Sequence, residues 1–354
     1  MLHCLGGITR NWTWMTVLHP VRTRTNADAP GRDKLRACGA RARQTIVCPM
    51  HVFLLRRVGS LVVALFVASI AVFLLVRAVP GDPARLLLKN PSPERIAAIH
   101  QRLGLDRPLP VQYWIWLKNA LGHGSFGESI VTGRDVKEDL ARTWPATIEL
   151  SVVALLIATI AGVWLGIFCA RHAGTWKDAL GTTISLVGLS VPVFWLGLLA
   201  MLLFSLELGW LPAGERGGLD HLILPALVLA TIPAAFIARV ARTAVLETLG
   251  QDFIRTARAK GATERTVLYR HALRAALVPI VTMVGVEFAY LLGGAVLTET
   301  VFAWPGIGRY IATAVLARDY PAIQGALLVL VAMVMIANFA VDITHHALDP
   351  KLRQ

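Results

Sequence analysis

Charge is scarce in this chain. Only 16% of its 354 residues are Asp, Glu, Lys or Arg, against about 25% in soluble domains. Cysteine is scarcer still, with four. Cys4, Cys38 and Cys48 sit near the start and Cys169 closes an apolar run. No pair has zinc-site spacing, and the pattern excludes a disulfide framework. No Gly-x-x-x-x-Gly-Lys-Ser/Thr loop occurs, so the chain has no ATP cradle of that kind. Glycine, at 29 residues, falls far short of a collagen repeat. What is abundant is apolar: 55% hydrophobic residues and a mean hydropathy of +0.59, gathered in runs near twenty. Disorder is excluded by that hydrophobicity. The class left is an all-α polytopic membrane protein.

The net charge of +13 first suggests a nucleic-acid partner, but its placement argues against one. Residues 1–49 hold eight basic residues against Asp28 and Asp33. Residues 239–274 hold another eight against Glu247, Asp252 and Glu264. Such basic stretches outside apolar spans mark the cytoplasmic side of a membrane protein. Residues 1–49 are polar, Arg-rich and unpatterned, and lack the apolar centre of a signal peptide. From Met50, the run His51-Val52-Phe53-Leu54-Leu55-Arg56-Arg57 leads into an apolar stretch. The expectation is that the working protein starts at or near Met50 and that 1–49 is a disordered or non-native extension.

A hydrocarbon core of about 30 Å takes about 20 apolar helical residues. On that scale six spans are predicted, over 58–76, 150–170, 179–205, 221–238, 276–298 and 322–341. Pro192 breaks the third. Pro225 and Pro233 sit in the short fourth, and Pro279 and Glu287 in the fifth. Intramembrane prolines are tolerated because neighbours re-satisfy the freed carbonyls. Arg56 and Arg57, Arg171 and Lys177, the 239–274 loop, and Lys351 and Arg353 all fall on one side if the N-terminus is cytoplasmic. Residues 77–149 are then outside. Their basic residues do not violate the rule, which fails for loops beyond ~60 residues.

The outer loop has internal order. Residues 80–83 form a Pro-Gly-Asp-Pro turn cluster. Residues 91–104 are predicted as a short helix with Ser92 as its cap. Residues 110–121 bring Val111, Trp114, Ile115 and Leu117 together, either at the membrane interface or in a packed outer cap. His123-Gly124-Ser125-Phe126-Gly127 suggests a hydrolase elbow, but His123 stands where the first glycine belongs. It is read as a Gly-rich turn.

The inner loop is the sharpest feature. From Gly250 to Arg274 it reads as helix, glycine turn, helix. Gly261 ends the first helix in the left-handed region and Thr263 caps the second. Basic residues surround a slim turn, a shape suited to a partner's groove.

Here the chain resembles a known family. The loop is similar to the Glu-Ala-Ala loop of inner-membrane permease subunits of binding-protein-dependent ABC importers. Arg255-Thr256-Ala257 stands at the Glu-Ala-Ala positions and Gly261 is the glycine. His271-Ala272-Leu273-Arg274 stands where the family has Ile-x-Leu-Pro. The first Glu, the first Ala and the final Pro are absent. The run Arg255-Thr256-Ala257-Arg258-Ala259-Lys260-Gly261 followed by Arg270-His271-Ala272-Leu273-Arg274 resembles the dipeptide, oligopeptide and nickel subfamily. So do Leu103-Gly104-Leu105-Asp106-Arg107-Pro108 with Gln112-Tyr113, the stretch Thr143-Trp144-Pro145-Ala146-Thr147-Ile148-Glu149-Leu150, and Val301 to Tyr310 followed by Arg318-Asp319-Tyr320-Pro321. The likeness runs from about Met50 to the C-terminus, and it most resembles the permease with the long first outer loop.

The resemblance implies a type I importer permease fold of six transmembrane helices. It divides the chain into 1–49, a first helix with its outer loop over 50–141, and a transmembrane domain over 142–354 with its coupling loop at 239–275. It implies a multi-pass protein of the bacterial inner membrane. Its partners would be a second homologous permease, ATP-binding subunits, an extracytoplasmic substrate-binding protein and membrane lipid, with no nucleic acid. ATP and Mg would sit on the partner ATPases, with no cofactor or metal on this chain and no catalytic residue. Docking would fall to Arg255, Thr256, Ala257, Arg258, Lys260, Gly261, Arg265, Arg270, His271 and Arg274.

Glu287 is expected as the acid inside a span. Such a charge faces the bundle interior, and with Tyr290 three residues on it is a candidate for lining the path; the alternative is a neutral or hydrogen-bonded structural group. Di- or oligopeptides are the expected substrate and nickel the alternative. The spans hold no His-rich or Cys-rich cluster for a soft metal, and His345 and His346 lie beyond the sixth. A secondary transporter would also explain six spans and a buried acid. A membrane hydrolase lacks a nucleophile and base.

Overall fold

The fold is that of a computed structural model, which describes residues 50–78, 93–94 and 106–348, the side chains of 50–53 and 345–348 excepted. The expectations for residues 1–49, the turn at 80–83, the helix over 91–104 with its Ser92 cap, and Lys351 and Arg353 lie outside the described residues. So do the side chains of His345 and His346.

The described residues are almost wholly helical. The elements are α1 (Met50–Ala78), α2 (Leu109–Gly122), α3 (Val136–Arg171), α4 (Trp176–Ser190), α5 (Val193–Ala200), α6 (Leu219–Leu249), α7 (Asp252–Ala259), α8 (Leu273–Val301), α9 (Ile307–Leu316) and α10 (Tyr320–Leu348). A π-helical turn, Met201–Glu207, prolongs α5. The turn Glu264–Thr266 and a second π-helical stretch, Val267–Ala272, run straight into α8.

Five of these helical stretches are long and apolar enough to cross a membrane. Helix α4 and the stretch Val193–Glu207 pass the same test together but meet at 98°, and counted as one broken span they make a sixth. The bend has a local cause. Pro192 offers no N–H to continue the helix, and it forces the residue before it out of the helical region. Val191 accordingly sits at φ −81°, ψ 123°. The fourth span is longer than predicted, because α6 runs through Pro225 and Pro233 without a break. Both prolines are buried against neighbouring helices, where surrounding groups compensate for the lost bonds.

The centre of the bundle is α6, the most buried of the spans, packed along its length on α3. Two stripes of small residues face each other there. Ala154, Ala158, Gly162, Gly166 and Ala170 recur every fourth residue on α3; Ala226, Ala230, Ala234 and Ala238 do so on α6. A Cβ added at Gly166 would lie 2.5 Å from the Ala238 carbonyl oxygen, and one at Gly162 2.7 Å from that of Ala234. Lipid chains are as apolar as leucine, so helices in a bilayer gain by close backbone packing of this kind. Leu291, Ala295 and Trp304 complete the central core from α8 and the loop after it.

The two ends of the bundle differ. At one end Arg57 of α1 pairs with Asp342 of α10. Gly285 of α8 lies against Val341 there, and Ile167, Ala244, Leu268 and Ile280 join α3 and α6 to the start of α8. At the other end Val76, Val136, Ile307 and Ile323 unite α1, α3, α9 and α10. The outward faces of α1 and α3 carry exposed apolar groups such as Val63, Phe66, Ile160 and Trp164, which suits a lipid surrounding.

Candidate functional site

The segment between α6 and α8 has the predicted shape. Helix α7 carries Asp252 in its first turn and Arg258 in its last, each complementing the helix dipole. Gly261 follows at φ +81°, a conformation that costs other L-residues about 1–2 kcal/mol. The hydroxyl of Thr263 accepts the backbone N–H of Thr266 at 3.4 Å, so Thr263 caps the next turn as expected. Across the glycine, Arg258 donates twice to Glu264, Nε to Oε1 at 2.8 Å and Nη2 to Oε2 at 3.1 Å. That hydrogen-bonded carboxylate holds the Arg258 guanidinium above its usual range.

Beneath the turn lies a small apolar core. Ile254, Val267 and Ala272 are fully buried, with Leu249 and Ala262 packed on them. Leu249 ends α6, and Ala272 leads directly into α8. The knob is therefore fastened to both spans by buried side chains, not tethered by a loop.

The predicted docking residues spread over this knob. Arg255, Thr256, Arg258, Lys260, Gly261, Arg265, Arg270 and Arg274 are exposed, while Ala257 and His271 are half-buried. Phe253, also exposed, joins Arg270, His271 and Arg274 around an open cleft of about 270 Å³. An exposed aromatic ring among cations is a groove-filling arrangement.

Glu287 and Tyr290, the path candidates, differ in burial. Glu287 is buried within the bundle, and its Oε2 has no hydrogen-bond partner among the described residues. Tyr290, three residues on along α8, is 51% exposed.

A second buried acid lies just past the fifth span as hydropathy predicts it, over 276–298. Helix α8 extends past Thr298 to Val301 and buries Glu299 completely. Its Oε1 accepts the Thr147 hydroxyl at 2.7 Å, and its Oε2 accepts the Arg309 N–H at 3.0 Å. Thr147 in turn accepts the Ile307 N–H at 2.8 Å. The Trp304 indole donates to the Ala146 carbonyl at 2.9 Å. Gly306 and Gly308 leave the room that the carboxylate fills. Ala146 and Thr147 of α3, the end of α8, the Phe302–Gly306 loop and the first turn of α9 are thus tied by one polar knot. The signal was available: both segments belong to the family resemblance, and each carries the groups that meet.

Asp319 does comparable work beside it. Its carboxylate accepts the Ser129 hydroxyl at 2.5 Å and the Ile130 N–H at 3.2 Å, and caps α10 through the Ala322 N–H at 3.3 Å. In the His123–Gly127 turn, Ser125 donates to Asp135, the cap of α3, at 2.9 Å. That serine holds a helix start. Among the described residues no group of three or more His, Cys, Asp or Glu is placed to hold a metal.

A multi-span helical bundle whose basic, glycine-hinged knob is locked to two of its spans has the architecture of a membrane transport component. Residues 162–354 match the family described as binding-protein-dependent transport system inner membrane component, and residues 50–151 match the N-terminal family of the same membrane components. The chain belongs to this family of ABC importer permeases. It is 40% identical over 336 residues to the dipeptide transport system permease DppB of Alkalihalophilus pseudofirmus, covering 86% of this chain and 100% of that one. It is equally 40% identical to the di/tripeptide permease DppB of Pseudomonas aeruginosa (85% and 98% covered) and the glutathione permease GsiC of Escherichia coli K12 (85% and 98% covered). Among solved structures, the inward-facing MetNI methionine ABC transporter aligns with a TM-score of 0.53 at 21% identity, over 60% of this chain and 96% of that one. That likeness supports the type I importer fold.

Proposed function

We propose that this chain forms one half of the membrane path of an importer for di- or oligopeptides, and that the knob over 252–272 seats in a cleft on a separate ATPase subunit. The observation that carries the reading is the knob's construction. Its buried core joins α6 to α8, so a push on the knob moves both spans instead of bending a loop. Closure of the ATPases around ATP and Mg²⁺, held by those subunits, then rocks the spans between inward-open and outward-open states. A second, homologous permease supplies the other half of the path, and an extracytoplasmic binding protein delivers substrate to the outer mouth. The knob and the N-terminal end of α1 face the cytoplasm, a placement supported by Arg56, Arg57, Arg171, Lys177 and the basic 239–274 stretch.

Peptide as substrate is supported by the relatives named for dipeptides, di- and tripeptides and glutathione; these do not favour nickel. Glu287 borders the path, because an unpaired acid at that depth is stable only toward a polar interior or a partner.

The test is co-purification and uptake. ATPase subunits come down with the intact chain and are lost from Gly261→Trp, and also from the exposed double reversal Arg255→Glu/Arg265→Glu, which leaves the knob's core untouched. Labelled dipeptide uptake falls with them. Uptake that persists in vesicles lacking ATPase subunits overturns the reading in favour of a secondary transporter.

A further inference from the structure

An apolar groove of about 430 Å³ runs along the outward side of α3, and its far wall is Tyr269 of the coupling segment. Ile160, Val163, Trp164 and Phe168 line it, and Arg171, at the last turn of α3, closes its end. From Thr159 to Arg171 is twelve residues, or about 18 Å at the helical rise. One leaflet of the hydrocarbon core is about 15 Å. The groove therefore spans one leaflet, from the bundle's knob end toward the midplane.

Its chemistry is graded along that length. The deep part is aliphatic, apart from the Thr159 hydroxyl, which is buried without a partner. Trp164 stacks on Phe168 at 5.8 Å, and Phe168 lies 4.6 Å from the His172 ring. These three rings form a ladder leading to the membrane boundary, where aromatic side chains favour the headgroup level. Arg171 at the boundary is exposed and has no acid partner among the described residues.

We propose that this groove is a binding site for one anionic glycerophospholipid. An acyl chain lies along Ile160, Val163 and Trp164, the ester region meets the aromatic ladder, and the phosphate pairs with Arg171 and the Tyr269 hydroxyl. Charge complementarity selects the occupant: an apolar trough capped by an unpaired cation matches an acidic lipid, not a neutral one. Tyr269 stands on the π-helical stretch by which the knob runs into α8, and such turns recur at functional positions. A lipid seated there braces the knob against α3, so transport becomes sensitive to the acidic lipid content of the membrane.

The experiment uses the full chain with its co-purifying subunits, in nanodiscs of phosphatidylcholine with or without phosphatidylglycerol, and counts retained lipid by native mass spectrometry after transfer to detergent. One phosphatidylglycerol is retained by the unaltered protein in preference to phosphatidylcholine. Arg171→Gln weakens that retention about five-fold, the size expected for losing one cation at an acidic surface, and Val163→Trp abolishes it by filling the trough. Equal retention of the two lipids, or unchanged retention in Arg171→Gln, overturns the proposal. So does cross-linking of an Ile160→Cys variant to a helix of a neighbouring permease, which would show that protein covers the groove. Lipid retention is read whether or not the complex transports, so its failure is distinct from failure of the importer reading.

Discussion

Arg242 grips both oxygens of Asp178. Its Nε donates to Oδ1 and its Nη2 to Oδ2, each at 2.7 Å. Asp178 also accepts the Gly174 N–H at 3.1 Å and is almost wholly buried. The pair ties the first half of the broken span, α4, to the central helix α6 near the knob. Because the span bends by 98° at Pro192, α4 has no straight continuation to hold it in place, and this bidentate clasp supplies a fixed point.

Breaking the clasp from either side leaves a charge without its partner. Truncating one member of a buried pair costs about 3–5 kcal/mol, and Arg242 is 32% exposed, so about 3 kcal/mol is expected for Asp178→Asn. Arg242→Gln should cost as much or more, because Asp178 is the more buried partner. The melting temperature in detergent, followed by tryptophan fluorescence, should fall clearly in both. A double-mutant cycle should show strong coupling between them; additive effects would mean that the contact contributes little.

The α3–α6 seam predicts a sharp contrast among glycines. Gly166→Ala places a methyl group 2.6 Å from the Ala241 Cβ and 2.5 Å from a backbone oxygen, and neither atom is the free end of a flexible chain. The helices must separate, forfeiting close packing along the seam, and overpacking of this kind costs about 1–3 kcal/mol. Gly59→Ala on α1 has nothing within 4 Å and should be neutral or slightly stabilising. Yield of monodisperse protein on size-exclusion chromatography compares the two directly.

Much of this was legible in the sequence because a membrane simplifies the signal. Span number, the break at Pro192 and the glycine hinge at Gly261 follow from hydropathy length and backbone chemistry. The small-residue seam was legible too, as a four-residue recurrence from Ala154 to Ala170, but an apolar window treats alanine, glycine and leucine alike. Glu299 was hidden by a boundary error of three residues: once the span is cut at Thr298, a buried acid looks like a loop acid. In the sequence Arg242 looks like one more positive charge of a cytoplasmic stretch. Its partner lies 64 residues away on another helix, and no local pattern reports such a pairing.

The outer knot is expected to be unforgiving at its centre. Thr147→Val removes the hydroxyl that serves Glu299 and Ile307 at once, leaving a buried carboxylate oxygen and a backbone N–H unpaired. Each such group costs about 1–3 kcal/mol. Thr147→Ser keeps the hydroxyl and should retain most of the stability. Limited proteolysis within the Phe302–Gly306 loop should accelerate in Thr147→Val and stay slow in Thr147→Ser. Equal cleavage of both variants would mean that the methyl packing, not the hydroxyl, holds the loop.

The knob offers the cleanest separation of folding from coupling. Ile254 is its only fully buried residue on α7, and it belongs to the knob's own apolar cluster, separate from that of the central core. Ile254→Ala should cost about 2–5 kcal/mol locally, enough to loosen α7 from Val267 and Ala272 while α3, α6 and α8 stay packed. The melting of the bundle should then change little, whereas amide exchange over 252–262 should speed up by orders of magnitude. If the knob works as a rigid lever, peptide uptake must fall with it, because a softened core absorbs the ATPase stroke. Gly261→Ala is the matched control. It strains the turn by about 1–2 kcal/mol but has open space around the new methyl group and leaves the buried core intact, so uptake should fall far less. Equal uptake in Ile254→Ala and the unaltered protein, with exchange over 252–262 shown to be fast, would mean that the knob needs only its surface and not its stiffness.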